Sequence, residues 1–197
     1  MTTTGSITED RFAEAARKRE TILDCAAMIA TGGGYDAVKM RTVAEGAGIA
    51  VGTLYRFYPS KPRVLVAVLA REFERIGAER DWTVTAGSPR LRVGQLNARL
   101  CQEWRARPAL TEAVTRAFVV ADGSASAEVD HAEAAIEHLI GLAIAGGEPS
   151  PRHHRVAALI GNIWLASLIA WVRQATSADD VALRLERSIA LIVRDES

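Results

Sequence analysis

The stretch RTVAEGAGIAVGTLYRFYPSK, residues 41 to 61, decides how the rest of the chain is read. Its apolar positions Val43, Ala44, Ala47, Ile49, Leu54 and Tyr58 fit two short helices meeting at a tight corner, with Gly46 and Gly48 bracketing the bend. The spacing predicts a first helix from Arg41 to Gly46 and a second from Val51 to Phe57. On the second helix Leu54 points inward, while Thr53, Tyr55 and Arg56 face away. Outward groups of this kind suit a nucleic-acid duplex: threonine and arginine can meet base edges or phosphates, and a tyrosine hydroxyl can hold a phosphate oxygen. Gly52, with no side chain, lets the backbone come near. A helical corner inside an ordinary α protein is the other reading the pattern allows.

The string itself narrows that choice. GTLYRFYPSK resembles the recognition helix of TetR-family transcriptional regulators, which commonly read G-T-L-Y, a variable residue, an aromatic pair and a nearby lysine. The resemblance covers residues 37 to 65. It implies Arg41 as a base contact, Thr53 and Tyr55 as base or backbone contacts, and Lys61 as a phosphate contact at the start of the next helix. Lys39, Val51, Gly52, Arg56 and Tyr58 complete the candidate DNA-facing set. Three positions depart from the family pattern. Lys39 and Ala50 stand where Thr or Ser often caps each short helix, and losing such a cap costs about 1 kcal/mol. Phe57 then Tyr58 reverses the common Tyr-Phe order, so a phosphate bond usually made by the first hydroxyl has no donor at Phe57.

Composition sets the bounds around this motif. A chain of 197 residues with 49% hydrophobic content fills a sizeable core. Runs of alternating Val, Ile and Thr are absent, and Ala, Leu, Arg and Glu recur at helical spacing, which predicts an all-α fold. The net charge is zero, but residues 1 to 63 hold nine Lys or Arg against seven Asp or Glu, a weak basic bias on the side of the motif. Arg17, Lys18 and Arg19 form a basic patch that serves equally as a solvated helix start. Cys25 and Cys101 sit in apolar helical patterns and read as reduced core residues. The polar opening MTTTGSITEDRF has no apolar signal core and no run of 18 apolar residues follows, so a cytoplasmic protein without a membrane partner is expected.

Taken in order, residues 1 to 10 are expected to be disordered, and a helix follows from Phe12 to Thr31 with Ile22, Cys25, Ala26 and Ile29 on one face. Gly32, Gly33 and Gly34 stop it. With the corner this predicts a three-helix head, residues 12 to 60, and a remainder, 61 to 197, that binds ligand and dimerises. Ser60 as cap and Pro62 in the first turn start a helix reaching Arg80, a candidate connector. Ser88-Pro89, Arg107-Pro108 and Ser150-Pro151 start others, giving helices at 89 to 106, 108 to 121, 126 to 145, 151 to 175 and 178 to 194. Asp122-Gly123 and Gly146-Gly147 mark turns. Nine helices is also the usual count in the family the motif resembles. VAALIGNIWLASLIAWV, 156 to 172, is apolar nearly all round, more than one neighbour would cover. That helix and the last one, with Val181, Leu185, Ile189 and Ile192 on one face, are the expected homodimer interface.

Catalytic signatures are missing: there is no G-x-S-x-G elbow, P-loop, dinucleotide-binding glycine pattern or C-x-x-C pair, so no enzyme and no cofactor are expected. Asp130, His131, Glu133, Glu137 and His138 crowd one helix without a recognised ligand spacing and read as a solvated face rather than a metal site. His153 and His154 read as exposed. Trp104, Leu110, Val114, Phe118, Leu139, Leu142, Trp164 and Ser167 are the candidate lining of an apolar ligand cavity, with plain core packing as the alternative for each. RPALTEAVTRAFVVADGSASAEVD (107 to 130) and IWLASLIAWV (163 to 172) resemble the steroid-catabolism repressors of actinobacteria within the TetR family. That resemblance implies an operator-binding repressor released by a steroid CoA thioester; a CoA would need cations at the cavity mouth, and Arg105, Arg107 and Arg116 are the candidates. A TetR-family repressor answering to another hydrophobic ligand, a drug, fatty acid or acyl-CoA, is the alternative.

Overall fold

Glycine punctuation, proline starts and apolar stripes translate into helices almost residue for residue. The computed structural model describes residues 3–84, 87–121, 126–174 and 176–194, and among them it has nine α-helices and no strand. The helices are α1 (Thr3–Ala37), α2 (Met40–Gly46), α3 (Val51–Phe57), α4 (Lys61–Ala78), α5 (Pro89–Ala106), α6 (Pro108–Val120), α7 (Ser126–Ala145), α8 (Pro151–Val172) and α9 (Ala178–Ile192). The expected turn at Asp122-Gly123 lies outside the described residues.

Two expectations about α1 are corrected. Of the segment expected to be disordered, the residues from Thr3 onward are helical and continuous with the rest of α1. Phe12, 72% exposed, has nothing to pack on. At the other end the glycines do break the helix, but a further turn continues to Ala37 beyond Gly33 and Gly34. Gly34 has φ +68, a left-handed conformation that L side chains rarely adopt, and a Cβ there would meet Glu112 Oε2 at 2.9 Å.

The caps follow the same physics with one exception. Ser88 Oγ accepts from Leu91 N–H, and Ser150 and Ser177 each form a reciprocal box, with His153 and Asp180 at the third helical position. His153 is therefore a half-buried capping residue and not an exposed one. Ser60 holds the cap position of α4 but makes no side-chain cap bond.

Packing divides into two adjoining cores. The first joins Ile22 and Ala26 of α1, Val43, Ala44 and Leu54 of the corner, Val64 and Leu65 of α4, and Leu110 and Ala113 of α6. The second joins Phe73 and Ile76 of α4 to Leu96, Leu100, Ile140, Trp164, Leu185 and Ile189. Helix α4 threads both, so apolar contact runs without a break past residue 60, where the head was expected to end. A belt of ion pairs stitches α4, α5 and α6 at the junction: Arg75 with Glu72 (2.9 Å) and Glu103 (3.1 Å), Arg99 with Glu79 (2.6 Å) and Glu103 (2.7 Å), and Arg107 with Glu72 and Glu103.

Candidate nucleic-acid interface and ligand cavity

The corner forms because the chain satisfies its own backbone there. Ala47 N–H donates to Val43 O (2.9 Å) and Ile49 N–H to Ala44 O (3.0 Å), while Gly48 at φ +65 turns the chain into α3. Neither Lys39 nor Ala50 supplies a side-chain cap, so α2 and α3 begin with uncapped N–H groups. Leu54 is fully buried and anchors α3. Around it Lys39, Arg41, Gly52, Tyr55 and Arg56 are exposed, and Val51 and Thr53 are half-buried. Arg41 is held only by a long exposed pair with Glu45 at 3.4 Å. A Cβ at Gly52 would meet nothing within 4 Å, so the protein's own packing does not demand glycine there, and the bare surface is open to a partner.

Two of the expected contacts sit differently. Tyr58 is 7% exposed and belongs to the head's core, where burial pushes its phenol pKa up. Tyr58 is the C-cap of α3, where the backbone leaves the helix and carries the ring inward, in keeping with its place among the apolar positions of the motif and not with a DNA-facing one. Lys61 turns back on the head: its Nζ donates to Tyr35 O at 3.2 Å and lies 3.8 Å from the Tyr35 ring centroid. Burial first, then the charge of Lys39, lowers its pKa. Of the basic patch, Arg19 stacks over Phe57 at 5.4 Å and so braces α1 against α3.

Tyr35 is the centre of the contact between head and body. Its N–H donates to Glu112 Oε2 (2.9 Å), Arg116 lies 4.6 Å from its ring centroid, and Arg116 pairs with Asp36 at 3.0 Å. Glu112 and Arg116 are on α6, one turn apart.

The opposite side of α6 meets an apolar cavity of about 180 Å³ enclosed by α4, α5, α6, α7 and α8. Phe73, Trp104, Val114, Phe118, Ile136 and Trp164 supply most of its apolar wall. Trp104 and Trp164 meet edge to face, centroids 5.0 Å apart, and Trp164 Nε1 donates to Asn97 Oδ1 at 3.1 Å. Thr111 and Thr115 are buried in the wall, and Asn162, Glu133 and Glu137 stand at the more exposed edge. Burial, then the charges of Glu137 and Asp130, raises the Glu133 pKa. A void of about 30 Å³ continues behind Phe73 and Trp104 toward Arg107.

Four of the expected lining residues, Trp104, Val114, Phe118 and Trp164, meet at this cavity. Leu110 lines only the smaller void, and Leu139, Leu142 and Ser167 line neither. Helical phase is the reason: Leu139 packs toward Gly77 of α4, and Ser167 lies nearest in phase to Ile160 on α8, turned off the face of Ala158, Gly161 and Leu165. The three arginines expected at the mouth are elsewhere: Arg105 pairs with Asp179 (2.6 Å), Arg107 with Glu72 and Glu103, and Arg116 with Asp36. Sequence reasoning missed Leu69, Phe73, Thr111, Thr115 and Ile136, whose only signal was helical periodicity shared with every core position. No group of three or more His, Cys, Asp or Glu is placed to hold a metal among the described residues, and His131 instead sits 2.9 Å from Glu74.

A corner with an exposed polar face, joined by α6 to an enclosed apolar cavity, defines a helical DNA-binding module with a ligand pocket. Residues 22–68 match the family of bacterial regulatory proteins of the tetR type, and residues 87–192 match the tetracyclin repressor-like C-terminal domain. The chain belongs to the TetR family of bacterial transcriptional regulators. Within that family it is similar to the HTH-type transcriptional repressor KstR of Mycolicibacterium smegmatis, 42% identical over 100% of this chain and 98% of that protein. Among solved structures, a TetR regulator from Rhodococcus sp. RHA1 covers 93% of this chain and 100% of its own with a TM-score of 0.82 at 26% identity. FadR of Thermus thermophilus, solved with lauroyl-CoA, shares the fold with a TM-score of 0.70 at 18% identity over 90% of this chain and 97% of its own.

Proposed function

We propose that the protein is a homodimeric repressor of steroid catabolism that leaves its operator when a steroid CoA thioester enters the cavity. Residues 12–60 act as the DNA-binding head and 61–197 as the ligand-binding and dimerising part. The observation that carries the reading is the two-sidedness of α6: Val114, Thr115 and Phe118 line the cavity, while Glu112 and Arg116 hold Tyr35 and Asp36 of the head. The similarity to KstR along the whole chain, together with the resemblance of residues 107 to 130 and 163 to 172 to steroid-catabolism repressors, supports the steroid class. Helix α4, with Leu69 and Phe73 on the cavity and Val64 and Leu65 in the head's core, is the second connector.

At about 180 Å³ the cavity is smaller than the ~300–1,000 Å³ usual for ligand sites. A fused-ring ligand therefore binds a wider conformation, and that difference in affinity is what shifts the equilibrium between the two states, with coupling of ~1–3 kcal/mol typical. The dimer would place two α3 helices in successive major grooves, ~34 Å apart or somewhat more. Its surface is the outer face of α8, which has the length and apolar composition of a membrane span yet is only 28% buried within one chain over that stretch, with Leu159 about half exposed. Leu183 and Leu191 of α9 extend that apolar surface. The protein acts in the cytoplasm, with the DNA.

The test is a mobility shift on DNA from upstream of the protein's own gene, with and without a steroid CoA thioester. A shift that the compound reverses supports the proposal. A shift that it leaves intact, and that a long-chain fatty acyl-CoA reverses, moves the effector to the second reading, toward which the lauroyl-CoA in FadR points. No shift on any promoter fragment removes the operator from the account.

A further inference from the structure

The cavity wall is apolar except for a few groups, and their hydrogen bonding separates them. Thr111 and Thr115 face it one turn apart on α6, and both are buried, at 5% and 3% exposure. Thr111 spends its hydroxyl proton on its own helix, donating to Arg107 O at 3.0 Å. Thr115 makes no such bond: among the described residues its hydroxyl has no hydrogen-bond partner, although it stands in the same helix with the same back-bonding geometry open to it. Ser167 differs from it: its hydroxyl is fully buried without a partner, and it does not border the cavity.

A hydroxyl of a buried residue that opens onto an apolar cavity stays unbonded unless something within that cavity bonds to it. We infer that Thr115 is the residue that reads an oxygen on the ring system of the ligand, its hydroxyl donating to a ring ketone. This rests on the steroid reading above and names one contact within it. Thr115 shares the wall with the buried Val114, Ile136 and Trp164, whereas the exposed edge with Glu133 and Asn162 is where a CoA tail would leave. Apolar walls select the shape and bulk of the rings, and one hydroxyl selects for an oxygen over a bare methylene, because a donor in the wall discriminates against a ligand that cannot accept from it. Thr115 also precedes Arg116, so the contact is made on the turn of α6 that holds Asp36 of the head.

The test uses the full chain and two probes: the CoA thioester of a four-ring steroid acid bearing a ring ketone, and the matched compound with that ketone reduced to methylene. Trp104 and Trp164 at the cavity make tryptophan fluorescence a direct binding signal. Thr115→Val keeps the branched shape, and Thr115→Ser keeps the hydroxyl; thermal melts and operator binding confirm that both variants fold. The wild-type chain should bind the ketone probe more tightly than the methylene probe. Thr115→Val should lose about three- to tenfold on the ketone probe and almost nothing on the methylene probe, the range expected for one neutral hydrogen bond. Thr115→Ser should recover most of the loss. An equal loss on both probes, or none on either, returns Thr115 to packing and overturns the assignment while leaving the steroid reading in place. A wild-type chain that binds neither probe overturns both together.

Discussion

The corner formed by α2 and α3 and the cavity bounded by α4 to α8 place their working side chains in opposite ways. In the corner they point outward and touch little: Arg41 has one long pair with Glu45, and Tyr55 is 46% exposed. In the cavity they are also the core: Trp164 is 3% exposed, bonded to Asn97 and packed edge to face on Trp104. A change in the first region can therefore remove function and spare the fold. In the second the two are lost together, and only shape-conserving substitutions separate them.

The largest effect expected from that contrast is at Trp164. Trp164→Ala should destabilise the chain by ~3–5 kcal/mol, seen as a fall in the urea midpoint, and should blunt the effector response even where the protein remains folded. A variant with unchanged midpoint would show that the cavity side is not core at all, and the contrast would break. Next is the corner: Arg41→Ala should weaken operator binding by ~1–3 kcal/mol at fixed salt without moving the urea midpoint. Tyr55→Phe should weaken it less, because only one hydroxyl is lost. Equal affinity for both variants would strike them from the DNA-facing set.

A smaller effect is expected where the regions meet. Glu112→Gln leaves an acceptor for Tyr35 N–H but weakens the pull on Arg116, so it should reduce the ligand-induced loss of DNA affinity by about 1 kcal/mol while leaving each separate affinity nearly as it was. Comparing titrations of operator with and without ligand measures that difference directly; an undiminished ligand effect would assign the communication to α4 alone.

The smallest effects are in pH dependence, and they have opposite signs in two places. In the ion-pair belt, Arg99's hydrogen bond lowers Glu79, while at Glu72 and Glu103 burial pulls upward but the arginines outweigh it and leave both lowered. A carboxylate lowered on folding stabilises the protein above its unfolded pKa, ~4.3 for Glu, and that stability is lost as pH falls through the folded value. Glu133 is raised, so its cost is present near neutrality and is relieved as pH falls through its folded value. The urea midpoint should thus drop below about pH 4, and Glu133→Gln should raise it slightly near pH 7. A Glu79→Gln variant with an unaltered acid limb would remove the belt from the explanation.

The fold was legible because its signals are local. Proline starts at Pro89, Pro108 and Pro151 and the serine caps before the first and last of them each act within one turn of the chain, and helices begin at those points, while Gly33 and Gly34 break α1 near its end. Where a local signal was absent the reading went astray: the opening residues carry no hydrophobic period, yet the chain is helical from Thr3. The exposed face of α3 was legible too, because a seven-residue helix with one anchor, Leu54, leaves its other positions outside almost by necessity.

What the sequence by itself determined was therefore the helices, the corner and the family, all consequences of spacing between neighbours. Tertiary structure alone decided which apolar residues surround empty space and which fill it. Leu139 and Ile136 are alike in sequence, yet only Ile136 reaches the cavity, because the phase of α7 against α4 and α8 sets the direction of each side chain. It also turned Tyr58 and Lys61 inward and joined Tyr35 to Glu112 across 77 residues of chain. Contacts of that kind depend on how whole helices lie on one another, a property no short window of residues contains.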